Sequence, residues 1–489
     1  MPPAGKMQSD DNEQARTRKS SAQQPPMTYR TFGSLFTKFK EAFLRFPRKG
    51  RLRFFLALIV AVSGFKIAGA LLASSGDTAG TLSGAGKKAC SQTAGTALDF
   101  NAVASLLAQC QPRLICDRDT FQADGISVVV WYSLDTALQN FIGRMLKQYR
   151  PRYGAMVVMN ARSGRVLSMV SYRHDSLPDL GSRMFLRSIF PAASIYKIVT
   201  AAAAIETARY SATTPVPVAG RNHTLYRSQI RKTISPWNEL PFEDAFAYSI
   251  NPAFARIGMY VVGRETLEEY GRRFGFNARI PFELAADSSK VLVPDDTSYA
   301  MAELASGYNR RTTLSPLHGA LIAGTVVEDG AMPEPRLVDS ICRTDGQCLY
   351  RSQPQVWKNS MRSATACELQ TMMNRVVEVG TCRKTFRLLR RCAWSQGIEY
   401  GGKTGSIDVD SMGKIDWFIG FAVDRDEPDR SLAVGIVTVH GRLWTVHSSY
   451  LGAEIFRKAL RPAPHEQMTK KQSARTPSAS APVVNKPKG

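Results

Sequence analysis

A run of about 21 predominantly apolar residues, Phe54–Ser74, divides the chain into a short leading part and a long following part. About 20 apolar residues in a helix span the hydrocarbon core of a bilayer, so the run predicts a single membrane-spanning helix at 54–75. Lys66 within it is an energetic cost, which snorkelling or a partner helix would offset. A signal peptide cleaved near Ala73 is the alternative, but the 53 preceding residues are long for one and favour an uncleaved anchor.

Basic residues stand directly before the apolar run, and by the positive-inside rule they lie on the cytoplasmic side. They are Arg48, Lys49, Arg51 and Arg53. We therefore expect residues 1–53 to form a cytoplasmic basic tail of an inner-membrane protein. The remainder of the chain would lie outside that membrane, in the periplasm or its extracytoplasmic equivalent.

The charge balance is strongly basic, with 64 Lys and Arg against 41 Asp and Glu. The two ends, 1–53 and 461–489, carry 13 of the 23 surplus charges. Nucleic acid is the usual partner of such a balance. No zinc-finger spacing, RNP motif or basic-region zipper is present, and a membrane surface accounts better for basic ends. We expect no nucleic-acid partner.

The eight cysteines all follow the apolar run, which would place them in an oxidising compartment as disulfide candidates. Three pairs are close in sequence: 110/116, 342/348 and 382/392. Thr344, Asp345 and Gly346 form a turn signal inside the second pair, so a disulfide across a hairpin is plausible there. The full connectivity stays open. The six histidines show no ligand spacing, and no metal is predicted.

The segment Phe190–Glu206 predicts a turn marked by Pro191 that enters a helix rich in alanine. Ser194 and Lys197 stand three residues apart near its start, which places them on one face, one turn apart. A serine hydroxyl becomes a nucleophile when a base takes its proton, and a lysine with a lowered pKa can be that base. Alone, the pair is weak evidence and favours an ordinary solvated helix face.

Two later stretches of the sequence support an active-site interpretation of Ser194 and Lys197. Ser249-Ile250-Asn251 lies at a break between two helical patterns, and Lys403-Thr404-Gly405 lies in a strand pattern. Below, the first motif is Ser194–Lys197, the second is Ser249–Asn251, and the third is Lys403–Gly405. Their types and order resemble the acyl-serine family of penicillin-binding proteins and serine β-lactamases.

The resemblance extends over about 125–460. The paired strand patterns Gly154–Met159 and Arg165–Ser171 precede the first motif, and a strand through Trp417 follows the third, as in penicillin-binding transpeptidases. The resemblance implies an α/β (α+β) fold with an antiparallel sheet flanked by helices and an all-helical subdomain, and the active site between them. Residues 125–460 are therefore predicted to be the transpeptidase domain.

The resemblance also implies catalytic roles. Ser194 would attack the carbonyl of a D-Ala-D-Ala peptide bond and form an acyl-enzyme. Lys197 would accept its proton, helped by the positive charge of Lys403. Ser249 would pass a proton to the departing D-Ala amine. β-Lactams would trap Ser194, and neither metal nor organic cofactor is implied.

The remaining motif residues would bind the substrate. Asn251 would hydrogen-bond an amide of the stem peptide, and Thr404 with Lys403 would receive its terminal carboxylate. Gly405 would allow close approach of the substrate backbone. Backbone N–H groups of Ser194 and Ser406 would form the oxyanion hole.

The segment 76–124, expected to be a linker or small subdomain, is too short for the pedestal of usual class B enzymes, and no glycosyltransferase domain is expected before it. The nearest description is a short, membrane-anchored, monofunctional D,D-transpeptidase, with cell-wall synthesis proteins as possible partners. The alternatives are a D,D-carboxypeptidase, a class D-like β-lactamase or β-lactam sensor, and a catalytically weak scaffold.

Two further segments carry weaker signals. Residues 383–391 hold five basic residues and form either a solvated loop or a patch that recruits substrate. Residues 461–489 are rich in Ala, Pro and Lys and are expected to be a disordered tail.

Overall fold

The computed structural model describes residues 97–123, 125–233, 238–295 and 298–462. The predictions for the basic tail 1–53, the membrane anchor 54–75 and nearly all of the tail 461–489 lie outside these ranges. Among the residues that are described, no helix combines the length and the apolar character needed to cross a membrane.

Strands and α-helices are interspersed along the chain. The strands are β1 (Arg118–Ala123), β2 (Ile126–Tyr132), β3 (Tyr153–Asn160), β4 (Val166–Arg173), β5 (Phe190–Pro191), β6 (Pro215–Val218), β7 (Asn238–Pro241), β8 (Thr313–Leu314), β9 (Ala331–Pro333), β10 (Val338–Arg343), β11 (Cys348–Arg351), β12 (Val356–Asn359), β13 (Ile398–Val409), β14 (Gly413–Asp424) and β15 (Leu432–His440). The α-helices are α1 (Phe100–Cys110), α2 (Thr136–Tyr149), α3 (Lys197–Ala208), α4 (Phe242–Ala247), α5 (Asn251–Ile257), α6 (Arg264–Arg273), α7 (Tyr299–Ser306), α8 (Pro316–Val327), α9 (Ser363–Glu378), α10 (Arg383–Phe386) and α11 (Ser448–Leu460).

The central sheet is antiparallel, with the strand order β13-β14-β15-β3-β4. Every residue of β15 is buried, as a strand covered on both faces requires. Phe418 and Ile436 are cross-strand partners on one face, and α11 packs there so closely that a Cβ on Gly452 would lie 2.5 Å from the Phe418 ring. On the other face Gly435 lets the backbone of α8 approach, because a Cβ there would lie 2.0 Å from the Pro316 carbonyl oxygen.

Helices α3 to α7 and α9 pack together beside this sheet. Helix α3 contacts α6 and α9, α4 contacts α9, and α5 contacts α7. The rings of Phe242, Phe246 and Phe254 fill the space between α4 and α5, with centroids 5.5 to 6.0 Å apart for the contacting pairs. The short 3-10 turn Ala193–Tyr196, which leads into α3, packs against β13. The helical region and the sheet therefore meet at the turn that carries Ser194.

A second antiparallel sheet has the order β1-β2-β10-β11. Strand β1 and helix α1 belong to the segment 76–124, so at least this part of the segment packs onto the folded unit through strand pairing. The hairpin of β10 and β11 carries a disulfide between Cys342 and Cys348, the pair that brackets the predicted turn. The structure has no disulfide bond between Cys110 and Cys116 or between Cys382 and Cys392.

Candidate active site

Ser194 is presented by a turn with an unusual backbone. Ala193 has φ +48°, in the left-handed region that non-glycine residues rarely adopt. Two neighbours hold the turn in place. The indole N–H of Trp417 donates to the Pro191 carbonyl oxygen at 2.8 Å, and Gly307 lies so close that a Cβ there would be 2.0 Å from the Ala193 carbonyl oxygen. Packing around the turn therefore fixes where the hydroxyl of Ser194 lies.

Lys197 is fully buried one turn after Ser194. Its Nζ atom lies 2.8 Å from Ser194 Oγ, 2.7 Å from Asn251 Oδ1 and 2.6 Å from the Ser306 carbonyl oxygen. The two carbonyl-type oxygens only accept hydrogen bonds, so they take the two N–H bonds of a neutral amine. The lone pair of that amine is then left for the hydroxyl proton of Ser194.

The pKa of Lys197 supports this arrangement. Burial, followed by the nearby charge of Lys403, lowers the pKa of Lys197 well below its ordinary range. A lowered pKa enlarges the neutral fraction of the amine, and a neutral amine can accept a proton. The first motif therefore pairs a half-buried hydroxyl with a base in hydrogen-bonding contact.

The second motif forms the break between α4 and α5. Ser249 has φ +56°, and Asn251 begins α5 with Pro252 at the first turn, where proline is tolerated. Both polar side chains are buried and point to lysines: Asn251 to Lys197, and Ser249 Oγ to the Nζ atom of Lys403, which lies 2.9 Å away. The predicted helix, break and helix are present, and the break serves to direct these two side chains inward.

The third motif lies on β13 beside the serine turn. Lys403 is fully buried, and its Nζ atom also donates to the Thr404 carbonyl oxygen at 2.9 Å. Burial lowers the pKa of Lys403 to about 7, with the Cys382 thiol acting in the opposite direction. A Cβ on Gly405 would lie 3.1 Å from the Ser194 backbone nitrogen, so glycine lets the strand approach the nucleophile itself. The residues from three distant parts of the sequence thus form one cluster.

Ser406 follows the third motif and pairs across the hairpin with Asp416. Its hydroxyl donates to the Asp416 carboxylate at 3.3 Å, and the Ser448 N–H donates to the other carboxylate oxygen at 2.7 Å. Burial raises the pKa of Asp416 to about 7. The buried carboxyl group of Asp416 on β14 therefore holds Ser406, the residue with the predicted oxyanion donor, in place on β13. Among the residues described, no three His, Cys, Asp or Glu side chains gather as metal ligands would.

Comparison with known families agrees with this geometry. The family model described as the penicillin binding protein transpeptidase domain matches residues 154–461. The chain belongs to this family.

Curated members of the family are distant relatives. The peptidoglycan D,D-transpeptidase PbpA of Mycolicibacterium smegmatis is 24% identical over 320 residues, covering 58% of this chain and 62% of that protein. The stage V sporulation protein D of Bacillus subtilis is 22% identical over 350 residues, covering 67% of this chain and 52% of that protein. The chain thus matches between about half and three fifths of the length of these two relatives.

Solved structures of penicillin-binding proteins share the fold. The crystal structure of PBPA from Mycobacterium tuberculosis has a TM-score of 0.56 at 20% identity, covering 68% of this chain and 82% of that chain. The imipenem acyl-enzyme complex of penicillin-binding protein A from the same organism has a TM-score of 0.56 at 22% identity, covering 68% and 79%. The resemblance implied the transpeptidase fold, and that fold is confirmed.

Several residues of this penicillin-binding protein domain near the motifs were not predicted. Thr381 Oγ1 lies 2.7 Å from Thr404 Oγ1, and the buried thiol of Cys382 has its pKa raised to about 12 by burial. His223 reaches solvent, yet desolvation, then the charges of Lys197 and Lys403, lower its pKa. The sequence marked Cys382 only as a disulfide candidate and gave no signal for Thr381 or His223, because each approaches the motifs only through the tertiary fold.

Proposed function

We propose that this protein is a D,D-transpeptidase that cross-links peptidoglycan stem peptides through an acyl-enzyme on Ser194. The observation that carries the proposal is the contact of Ser194 Oγ with the buried amine of Lys197 at 2.8 Å. The family assignment, and a relative named as a peptidoglycan D,D-transpeptidase, support the choice of substrate.

Acylation would begin when Ser194 Oγ attacks the carbonyl carbon of the penultimate D-Ala. The hydroxyl proton would pass to the neutral Nζ atom of Lys197 as the new C–O bond forms. The backbone N–H groups of Ser194 and Ser406 would donate to the oxyanion. Gly405 packs against the Ser194 backbone nitrogen and directly precedes Ser406 in the sequence, which supports this choice of donors.

Collapse of the tetrahedral intermediate would break the C–N bond and release D-Ala. The departing amine needs a proton, which Ser249 would supply and regain through its 2.9 Å contact with Lys403 Nζ. An amine of a second stem peptide would then attack the ester carbonyl. It would lose a proton as the new amide forms, and the Ser194 oxygen would regain one.

Substrate binding would use the remaining motif groups. Asn251 Oδ1 is held by Lys197, which leaves the Asn251 amide N–H groups for a carbonyl of the stem peptide. Thr404, half-buried on β13, would donate to the terminal carboxylate beside the charge of Lys403. β-Lactams carry a carboxylate and a reactive carbonyl at a similar spacing, so they would acylate Ser194. Relatives of the fold have been solved as acyl-enzyme complexes with imipenem and with penicillin G.

The location follows from the sequence. The predicted anchor 54–75, with its preceding basic residues, would hold the protein in the cytoplasmic membrane as a single-pass helix. The catalytic domain would then face the extracytoplasmic side, where peptidoglycan is assembled. Residues 1–53 would remain in the cytoplasm, available to partners of a wall-synthesis complex.

A donor and acceptor assay tests the activity. The full-length chain, purified in detergent, is incubated with a thioester analogue of the stem-peptide terminus, with and without a D-amino acid as acceptor. The proposal predicts that transfer product forms. Ser194→Ala should lose this activity, and Ser176→Ala, which changes an exposed serine, should keep it. Hydrolysis that the acceptor never diverts would instead indicate a carboxypeptidase, and no thioester turnover in a folded chain would contradict the proposal.

A further inference from the structure

The segment Gly380–Cys382 contacts both the end of α4, just before the second motif, and the third motif. The Thr381 N–H donates to the Ala247 carbonyl oxygen at 3.2 Å, two residues before Ser249. Gly380 permits this approach, because a Cβ there would lie 2.4 Å from the same Ala247 oxygen. The Cys382 N–H donates to the Val376 carbonyl oxygen at 3.1 Å, and the Cys382 side chain is fully buried. The backbone around Thr381 is therefore held on both sides.

The exposed side chain of Thr381 meets the third motif directly. Its Oγ1 atom lies 2.7 Å from Oγ1 of Thr404, a normal distance for a hydrogen bond between two hydroxyl groups. Thr404 is the motif residue expected to receive the substrate carboxylate. Lys403 directly precedes Thr404 in the sequence. Arg383 and Lys384 follow Thr381 after Cys382, so the first charged side chains after Thr381 are positive.

A hydroxyl group has one proton to donate and can rotate to place it. When the Thr381 hydroxyl donates to Thr404 Oγ1, it occupies one acceptor position of that oxygen. The proton of Thr404 is then turned away from Thr381. Without Thr381, the Thr404 hydroxyl would rotate freely before the substrate binds and would lose that rotational freedom on binding.

We propose that Thr381 is a positioning residue for the terminal carboxylate of the substrate, acting through Thr404. It orients the Thr404 hydroxyl so that its proton points to the carboxylate before the substrate arrives. The role is additional to the three motifs, and it rests on the proposed function, since it assumes that Thr404 receives that carboxylate.

The test compares a probe that carries the carboxylate with one that does not. Penicillin G and its methyl ester are each mixed with the full-length chain in detergent, and the acylation rate constant is followed by intact-protein mass spectrometry. Valine is close to threonine in shape but has no hydroxyl. For Thr381→Val we expect the acylation rate constant with penicillin G to fall about tenfold, because an oriented hydrogen bond to a charged group is weakened. With the methyl ester the rate should stay within about twofold of the parent chain.

Two further variants separate positioning from packing. Thr381→Ser keeps the hydroxyl and should retain the preference for the carboxylate. Thr385→Val is the matched control in the same segment, because the Thr385 hydroxyl donates to the Cys382 carbonyl oxygen at 2.9 Å and lies 3.2 Å from Ser449 Oγ, away from Thr404. Any effect of Thr385→Val should be equal for the two probes. If Thr381→Val does not fold, as judged by thermal unfolding, Thr381→Ala replaces it.

The outcomes are distinct. The proposal is supported if Thr381→Val lowers the acylation rate constant for penicillin G alone and Thr381→Ser retains the parent value. An equal loss for both probes, or no loss for either, overturns it while leaving the proposed function intact. If the parent chain forms no adduct with penicillin G, the proposed function itself fails, and the role of Thr381 fails with it.

Discussion

The Nζ atom of Lys197 lies 2.8 Å from the Oγ atom of Ser194, and no part of the lysine is exposed to solvent. An ammonium group without a carboxylate partner would be costly in such a place. The two acceptors that complete its shell, Asn251 Oδ1 and the Ser306 carbonyl oxygen, are satisfied by a neutral amine. The burial of Lys197 thus prepares the base before substrate binds.

Lys197→Met tests this preparation. Methionine fills much of the same volume but cannot accept a proton, so the acylation rate of Ser194 should fall roughly 100- to 10,000-fold, the usual contribution of a general base. The rate is measured with penicillin G by intact-protein mass spectrometry. Lys147→Met, on the exposed side of α2, is the control. A rate within a factor of about three of the parent chain would rule out Lys197 as the base.

Gly405→Ala tests the contact between β13 and the nucleophile. The added methyl group would lie 3.1 Å from the Ser194 backbone nitrogen and 3.2 Å from the Ala192 carbonyl oxygen, so the turn must shift by a few tenths of an ångström. Misplacement on this scale should lower the acylation rate about 10- to 100-fold. Gly143→Ala, in α2 with no neighbouring atom within 4 Å of the new methyl group, should leave the rate unchanged. Equal rates for the two variants would show that the contact is not important.

The stability of the domain should depend on pH through Glu283. This carboxyl group is buried, and desolvation raises its pKa to about 7 from an ordinary value of 4.5. Between these two values the folded state binds the proton that the unfolded state releases. The free energy of unfolding should therefore fall as the pH rises from about 4.5 to about 7.

Glu283→Gln isolates this contribution. The Glu283 Oε1 atom accepts from the N–H groups of Leu337 and Val338 at 2.9 and 3.0 Å, and a glutamine carbonyl oxygen can take both. Urea unfolding at several pH values, followed by tryptophan fluorescence, should show a weaker loss of stability with rising pH in Glu283→Gln than in the parent chain. Glu265→Gln, at an exposed position, is the control. An unchanged pH dependence in Glu283→Gln would contradict the assignment.

Local features of the fold were predictable because their causes are local. The strand patterns at Gly154–Met159 and Arg165–Ser171 lie within one or two residues of the bounds of β3 and β4 in the structure. Asp135 stands directly before α2, and its side chain accepts from the Leu138 N–H at 2.9 Å, a capping contact that depends only on neighbouring residues. The three motifs were identified from residue types, spacing and order, and the structure brings them together.

The supporting contacts of the site could not be read from the sequence. Thr381 meets Thr404, and Trp417 holds the Pro191 carbonyl, through packing that no periodic pattern encodes. The same holds for β1, whose pairing with β2 was not predicted for the segment 76–124. Sequence patterns indicate which face of an element is buried, but the partner of that face depends on the fold of the whole domain.

The most direct test of the central claim is a time course of the full-length chain with penicillin G, followed by intact-protein mass spectrometry and peptide mapping. The account predicts one covalent adduct per chain, located on Ser194, stable for hours, and absent from Ser194→Ala. An adduct that forms and disappears within seconds, with penicillin consumed, would indicate a β-lactamase instead. A folded chain that forms no adduct, or an adduct of equal yield in Ser194→Ala, would contradict the assignment of Ser194 as the nucleophile.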